Sequence, residues 1–205
     1  MRDDVRPIPL PDPPLSERTL LLRPWAERDI AAVHAAGRDA LISRYRYSLP
    51  RTLDEARAWL AATERERERG TRLELAITEA GIPLGSISLT DLVHANAMVR
   101  YWLLPAGRGR GLATTAVRLL CDWAFSTLNI GRVGALFEVD NHPSRAVVER
   151  CSFVREGLLR QHMTARDGKR VDTLIYGLLP DDVAPARGPV DPAAPDASGR
   201  GVSLP

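Results

Sequence analysis

The chain has very little cysteine, and this scarcity excludes several classes of structure. Cys121 and Cys151 are the only cysteines among 205 residues, which is too few for the disulfide framework of a small secreted protein. Their spacing does not match a zinc site either, so we predict no metal. Because each lies within an apolar helical pattern, we interpret both as buried small hydrophobic residues of a protein from the reducing cytoplasm.

Long apolar runs are absent, and lysine is scarce. The sequence contains neither an apolar leader nor a run long enough for a membrane span, so we expect no membrane partner and a cytoplasmic location. Lysine occurs once, at Lys169, and the formal net charge is +2. This small charge predicts no nucleic-acid partner. Binding of nucleic acid through the many arginines stays a third hypothesis, which salt-sensitive oligonucleotide affinity would support.

The residues that are present indicate one globular domain with two extended ends. A hydrophobic fraction of 44% and a charged fraction of 26% are ordinary for a globular chain. Residues 1–14 are rich in proline and predict an extended arm. Residues 181–205 are dominated by Pro, Ala, Gly and Asp and predict a disordered tail, because they offer little to bury. The folded domain is expected over residues 15–180.

Within that domain, apolar periodicity predicts a mixed order of strands and helices. A strand at residues 18–23 is followed by a helix from Glu27, and a loop dense in arginine and tyrosine is predicted at residues 43–48. Thr52 and Glu55 have the spacing of a capping box, which predicts the start of the next helix. The alternating charges that end this helix are interpreted as a solvated face.

The second half of the domain continues the same alternation. Ala80 and Gly81 are typical of a hairpin turn, as are Asp167 and Gly168. Helices are predicted after the glycines near residue 110 and at residues 145–151. Further strands are predicted at residues 73–78, 84–89, 99–104, 133–139, 158–164 and 171–178.

One stretch of this half indicates a chemical function. The apolar strand at residues 99–104 leads into Gly107, Gly109 and Gly111, which are separated by arginines and followed by a helical pattern. A junction from strand through glycine loop to helix directs unpaired backbone N–H groups at one point, where the helix dipole favours negative charge. The loop therefore predicts a phosphate site, and an ordinary loop on a basic surface is the alternative.

Two common phosphate loops do not match. A P-loop requires a lysine that is absent here, and a Rossmann fingerprint requires glycine where Leu112 stands. Arg108, Gly111 and Ala113 instead form the pattern R-x-x-G-x-A. This pattern resembles the pyrophosphate loop of the GNAT superfamily of N-acetyltransferases, in which the loop holds coenzyme A.

A second group of residues extends the resemblance. Asn141 and Ser144 form N-x-x-S, and a short helix, Phe153 and an E-G-x-x-R pattern from Glu156 follow. This order resembles the ribosomal-protein-alanine (Rim-type) branch of the superfamily, over roughly residues 15–180. The resemblance implies a single-domain α/β fold: a mixed, mostly antiparallel sheet, splayed at two parallel central strands and flanked by helices.

The resemblance also implies an activity, namely direct transfer of an acetyl group from acetyl-CoA to an amine of a protein N-terminus or a small molecule. The protein is then expected to be a monomer or homodimer. A non-catalytic coenzyme A-binding or interaction module is the alternative. The residues implied in coenzyme binding are Trp102, Leu103, Leu104, Arg108, Gly109, Arg110, Gly111, Leu112, Ala113, Thr114 and Asn141.

The catalytic residues implied by the resemblance are Ser144 and Glu138. Ser144 would stabilise the departing thiolate, and helix capping is the alternative role for it and for Asn141. The carboxylate that relatives often carry before the loop is missing, since Met98 and Arg100 stand there. Glu138 acting through water is therefore the predicted base, an exposed strand residue without a catalytic role is the equally favoured alternative for it, and His142 is a weaker candidate. Neutral amine supplied by the substrate's own equilibrium is the third possibility.

Acceptor contacts are predicted from two segments. Arg44, Tyr45 and Arg46 lie in the predicted loop, and His162 lies in the last hairpin with Arg166. The arginines favour an acceptor with an anionic group, although a solvated loop explains them equally well. Ser152 stands where relatives usually have glycine, so the backbone there is expected to differ from theirs.

Overall fold

The computed structural model of the chain describes residues 6–45, 49–165 and 168–183. Eight strands form one sheet in the order β1-β2-β3-β4-β5-β6-β8-β7. The strands are β1 (Ser16–Glu17), β2 (Leu20–Pro24), β3 (Arg72–Glu79), β4 (Ile82–Val93), β5 (Asn96–Leu103), β6 (Arg132–Glu138), β7 (Val154–Thr164) and β8 (Arg170–Leu178). The helices are α1 (Ile30–Arg38), α2 (Ala40–Tyr45), α3 (Leu53–Glu68), α4 (Leu112–Leu128) and α5 (His142–Arg150).

The central pair of strands opens into a gap. Neighbouring strands are antiparallel except β5 and β6, which are parallel because α4 crosses between them. Pairing of β5 with β6 is confined to residues 96–98 and 132–134 within the described chain. The strands then separate, and the predicted α/β fold with splayed parallel strands is confirmed.

Helices cover both faces of the sheet. One face packs on α4 and α5 through a cluster that includes Leu120, Val148 and Tyr176. The other packs on α1 and α3, where the Trp25 and Trp102 rings stack with centroids 5.9 Å apart. Since successive side chains of β5 point to opposite faces, Trp102 contacts one set of helices and its neighbours contact the other.

The capping box of α3 is confirmed, and its charged end does more than face solvent. Glu55 N–H donates to Thr52 Oγ1 at 3.1 Å, and Thr52 N–H donates to Glu55 Oε2 at 3.2 Å. Arg67 lies in the alternating charge run, yet its Nη1 donates to Ile8 O at 2.7 Å and its carbonyl accepts from Ile8 N–H. Four residues of the run are exposed, as the interpretation predicts (Glu64, Arg65, Glu68 and Arg69), whereas Arg67 holds the N-terminal segment on α3.

The loop predicted from residue 43 was also wrong at its start, where the chain is helical. Asp39 Oδ1 accepts from Ile42 N–H at 2.9 Å, and the buried Ser43 hydroxyl donates to Gly37 O at 2.9 Å. These bonds satisfy backbone groups at the ends of two consecutive helices, so α2 follows α1 directly. The rest of that predicted loop, residues 46–48, lies outside the described residues. So do residues 1–5, 166–167 and 184–205.

The two cysteines differ in burial. Cys121 is fully buried, as predicted, whereas Cys151 is partly exposed and donates to Thr114 O at 3.4 Å. Burial raises the pKa of Cys151 to about 11. Among the described residues we find no helix long and apolar enough to cross a membrane and no cluster of potential metal ligands.

Candidate active site

The glycine loop after β5 is shaped by a short 3-10 turn and two left-handed glycines. Within the turn, Gly107 N–H donates to Leu104 O at 2.9 Å and Arg108 N–H donates to Pro105 O at 3.2 Å. Gly109 and Gly111 have φ of 71° and 77°, and Gly111 is the N-cap of α4. Only glycine adopts this conformation without steric cost, so these positions require it.

The backbone N–H groups of the six residues 109–114 donate to no acceptor within the described part of the chain. Arg108 was predicted to contribute its amide as well, but the 3-10 turn uses that donor. Unpaired N–H groups at the start of a 17-residue helix carry partial positive charge and bind anions. The loop therefore has the donor groups that the predicted anion site requires.

Five of these six residues, all but Arg110, line a cavity of 520 Å³, which we call the loop cavity. Its other walls come from α2, from residues 101–103 of β5 and from the start of α5. The volume lies within the range of small-molecule sites, about 300–1,000 Å³. A ligand bound by the loop amides thus has room to extend between β5 and α5.

The edge of β5 that faces the gap offers further backbone groups. Leu104 N–H donates to Leu84 O at 2.8 Å, so its donor is used within the sheet. Alternate residues of a strand direct their N–H groups to opposite neighbours. The N–H of Trp102 therefore points toward β4, like that of Leu104, whereas the N–H groups of Tyr101 and Leu103 point toward the gap. Of Trp102, Leu103 and Leu104, which the resemblance implies in coenzyme binding, only Leu103 directs its backbone N–H toward the gap.

The two loop arginines have internal partners. Arg108 Nη2 contacts Asp39 Oδ1 at 2.6 Å, and its Nε donates to Leu103 O at 3.0 Å. Arg110 pairs with Glu79 and donates to Ala106 O at 3.3 Å. Burial opposes ionisation of Asp39, but hydrogen bonding and charge from Arg108 hold its pKa below the ordinary value. Both guanidinium groups thus anchor the loop.

The start of α5 forms the opposite wall of the gap. Asn141 caps this helix, since its Oδ1 accepts from Ser144 N–H at 3.1 Å. Tyr101 OH donates to Ser144 O at 3.1 Å, and burial raises the pKa of this tyrosine. Asn141 and Ser144 also line the loop cavity. The capping role is therefore real, and both residues still face the region where β5 and β6 diverge.

Two further cavities have Glu138 as a shared wall residue. One of 230 Å³, the gap cavity, has Met98, Arg100 and Ser144 among its walls. The other, of 670 Å³, is the hairpin cavity beside β7 and β8. Glu138 ends β6 with only 6% of its surface exposed. A buried carboxylate thus faces the gap from β6, although no carboxylate stands at Met98 or Arg100.

The predicted acceptor residues divide between the cavities and the surface. Arg44 lines the hairpin cavity and pairs with Asp140, and Tyr45 lines the gap cavity. Arg46 lies outside the described residues. His162 is exposed and, like His142, lines none of these three cavities within the described chain.

Two neighbours of His162 in the same hairpin line the cavities, although His162 does not. Gln161 lines the hairpin cavity and Met163 the gap cavity. A β-bulge between residues 159 and 163, with Gln161 at φ 49°, breaks the alternation by which inward positions are predicted. Lys169, Arg170 and Asp172 of this hairpin also line the hairpin cavity and were missed. The order of strands indicated the hairpin, but no sequence signal indicated its inward side chains.

Comparison with known proteins places this geometry in context. A family model described as an acetyltransferase (GNAT) domain matches residues 19–154. The uncharacterized N-acetyltransferase YoaA of Bacillus subtilis is 27% identical over 82% of this chain and 97% of its own. Spermidine N(1)-acetyltransferase of Escherichia coli is 24% identical over 70% of this chain and 77% of its own. Mycobacterium smegmatis RimJ, solved with a CoA-disulfide, superposes with a TM-score of 0.73 and 23% identity over 80% of this chain and 83% of its own.

Proposed function

The chain belongs to the GNAT acetyltransferase family and is an acetyl-CoA-dependent N-acetyltransferase, and we propose that transfer takes place in the gap between β5 and β6. The observation that carries this proposal is the set of amides at residues 109–114, which have no acceptor among the described residues; five of these residues line the loop cavity beside the gap. The predicted monomeric or homodimeric state and the cytoplasmic location stay predictions.

On the donor side, the backbone does the binding. The amides of the loop hold the pyrophosphate, and Leu103 N–H, which faces the gap, donates to the arm that reaches into it. Asn141 borders the same path. Acetyl-CoA supplies the activated acetyl thioester. Because these donors are set by the fold before the ligand binds, they need no rearrangement at the moment of reaction.

On the acceptor side, side chains handle the protons. A protein α-amine has an ordinary pKa of about 8 and a lysine side chain about 10.4, so most acceptor amines arrive protonated. Glu138 accepts the proton that the amine loses, directly or through one water. Ser144 donates its hydroxyl proton to the sulfur as the bond from sulfur to the acetyl carbon breaks, and it regains a proton from the nitrogen, which loses its second proton as the amide forms. The nitrogen thereby gains the acetyl group without a covalent enzyme intermediate.

The acceptor enters through the hairpin cavity. Arg44, Lys169 and Arg170 line it together with Glu138, Asp140 and Asp172, so both signs of charge are present. We infer that the Arg44–Asp140 pair forms part of the acceptor path, because it joins α2 to the turn after β6. Alanyl peptides and polyamines are the two amine classes to compare.

Single-turnover transfer from labelled acetyl-CoA tests the proposal. The wild-type protein should acetylate at least one member of a panel of alanyl peptides and polyamines. Glu138→Gln should slow that transfer by roughly 10²-fold or more while leaving acetyl-CoA binding intact. Binding without transfer to any amine would instead support the non-catalytic coenzyme A-binding module. Transfer at the wild-type rate by Glu138→Gln would remove Glu138 from the role of base.

A further inference from the structure

One buried hydroxyl beside the proposed base has no hydrogen-bond partner in the part of the chain that the structure describes. Thr173 on β8 is 0% exposed, and its Oγ1 makes no hydrogen bond to the described residues. Buried polar side chains are nearly always hydrogen-bonded, because an unpaired hydroxyl keeps the full penalty of its desolvation. Thr78 on β3 shows the ordinary arrangement, since it is equally buried and donates to Leu21 O at 2.9 Å.

The register of the sheet places this hydroxyl next to Glu138. Thr173 is the cross-strand partner of Glu138 in the antiparallel pair of β6 and β8. Val139 N–H donates to Asp172 O at 3.1 Å, which makes the adjacent Val139 and Asp172 the hydrogen-bonded pair. Glu138 and Thr173 therefore form a non-hydrogen-bonded pair, the type in which facing side chains approach most closely.

We propose that Thr173 is a positioning residue for Glu138 and that its hydroxyl donates a hydrogen bond to the Glu138 carboxylate when the acceptor amine is bound. The inference rests on the proposed role of Glu138 as base. A rotation about the Cα–Cβ bond of Thr173 turns its hydroxyl toward the facing side chain on the same side of the sheet. The bond keeps the carboxylate ionised and directed at the ammonium group until the proton moves.

Several charged and titratable groups share the cavities with Glu138. They come from α2, from β5, from the turn after β6 and from the last hairpin. These groups are Arg44 and Tyr45, Arg100 and Tyr101, Asp140, and Lys169, Arg170 and Asp172. Arg170 and Asp172 lie on β8 like Thr173, but Thr173 is the residue of β8 that stands directly opposite Glu138. A variant at Thr173 therefore changes one hydrogen bond and leaves the surrounding charges in place.

Thr173→Val is the direct test, because valine keeps the shape and removes the hydroxyl. We expect kcat to fall roughly tenfold, the effect of one charge-assisted hydrogen bond, with the KM for acetyl-CoA unchanged. In a plot of kcat against pH, the acidic limb should move to higher pH by about one unit, since loss of the donor disfavours the ionised form of Glu138. Thr173→Ser should restore both values.

Thermal stability separates this role from a structural one. Loss of an unpaired buried hydroxyl should raise the melting temperature of Thr173→Val by roughly 2–4 °C. The matched control Thr78→Val removes a paired hydroxyl, so it should lower the melting temperature and leave kcat unchanged. A Thr173→Val protein that is both less stable and fully active would overturn the proposal.

A double-mutant cycle with Glu138→Gln completes the test. If Thr173 acts through Glu138, Thr173→Val should have no further effect on single-turnover rate in the Glu138→Gln protein. Equal effects of Thr173→Val in both backgrounds would overturn the positioning role alone and leave the proposed base intact. A wild-type rate in Glu138→Gln would overturn the base and, with it, the role of Thr173.

Discussion

The donor side and the acceptor side of the gap are built from different kinds of chemical group. On the donor side, consecutive backbone amides at residues 109–114 form the site. On the acceptor side, side chains meet from α2, β6 and β8, for example Arg44, Glu138 and Asp172. A site made of consecutive backbone groups depends on local conformation, whereas a site made of distant side chains depends on the register of the whole sheet.

The Arg108–Asp39 ion pair joins the two sides. Arg108 of the loop contacts Asp39 at 2.6 Å, and the same Asp39 oxygen accepts from Ile42 N–H of α2 at 2.9 Å. Arg44, at the other end of α2, then pairs with Asp140. Asp39 thus couples the position of the donor loop to the helix that borders the acceptor path.

Substitution of a loop glycine should give the largest effect and confine it to the donor side. Gly111→Val forces a β-branched residue to φ 77°, so the loop amides should no longer converge. Stabilisation of the fold by acetyl-CoA, about 2.7 kcal/mol at a hundredfold excess over the dissociation constant, should be lost. Thermal melting with and without acetyl-CoA measures it.

Gly81→Val is the matched control for that experiment. Gly81 has φ 80°, and like Gly111 it has no atom within 4 Å of an added Cβ, but it lies in the hairpin between β3 and β4. Gly81→Val should lower the free energy of unfolding by about as much as Gly111→Val does, and acetyl-CoA should still stabilise it. If Gly111→Val also kept that response, the assignment of the loop would fail.

Removal of a hydroxyl where the two sides meet should affect rate without affecting binding. Ser144→Ala leaves the backbone bonds to Asn141 and Tyr101 in place, because both use main-chain atoms of residue 144. Single-turnover transfer should slow by roughly 10²-fold, the usual effect of losing a general acid. An unaltered rate would mean that Ser144 serves only to begin α5.

Breaking the link between the sides should have a moderate effect that depends on pH. Because the folded pKa of Asp39 is lowered, its ion pair stabilises the protein above the unfolded value near 3.8 and loses that effect as pH falls through the folded value. Asp39→Asn should therefore cost roughly 1 kcal/mol at pH 7, a figure reduced for the partial exposure of the pair. Urea unfolding should show that this difference disappears in acid, and a pH-independent difference would contradict the link.

A substitution that lies outside both the donor side and the acceptor side should have the smallest effect. Ser152 follows α5 with φ 63°, and its N–H and that of Phe153 donate to Glu149 O and Val148 O, as in a Schellman motif. Ser152→Gly should stabilise the protein by roughly 0.5–1 kcal/mol, because glycine adopts this conformation without strain. Ser152→Ala should not, and acetyl-CoA should stabilise both variants as it does the wild type. Equal melting temperatures for Gly and Ala would show that residue 152 is not strained.

The predictions that succeeded share a local origin. The capping box of α3, the turn at Ala80 and Gly81 and the glycine loop each depend on a few consecutive residues. The ones that failed depend on distant contacts. Asp39 extends the helical region into the predicted loop because it also binds Arg108, and the bulge in β7 decides that Gln161 and Met163, rather than His162, line the cavities.

By itself, the sequence determined the donor side: Gly109 and Gly111 lead directly into a helix, and the first amides of a helix have no partner within it. Only the tertiary structure decided the acceptor side. The pairing of β6 with β8 sets Thr173 opposite Glu138, and the early end of pairing between β5 and β6 leaves the gap open. Strand register is a property of the whole sheet, so no short stretch of the chain encodes which of these side chains meet.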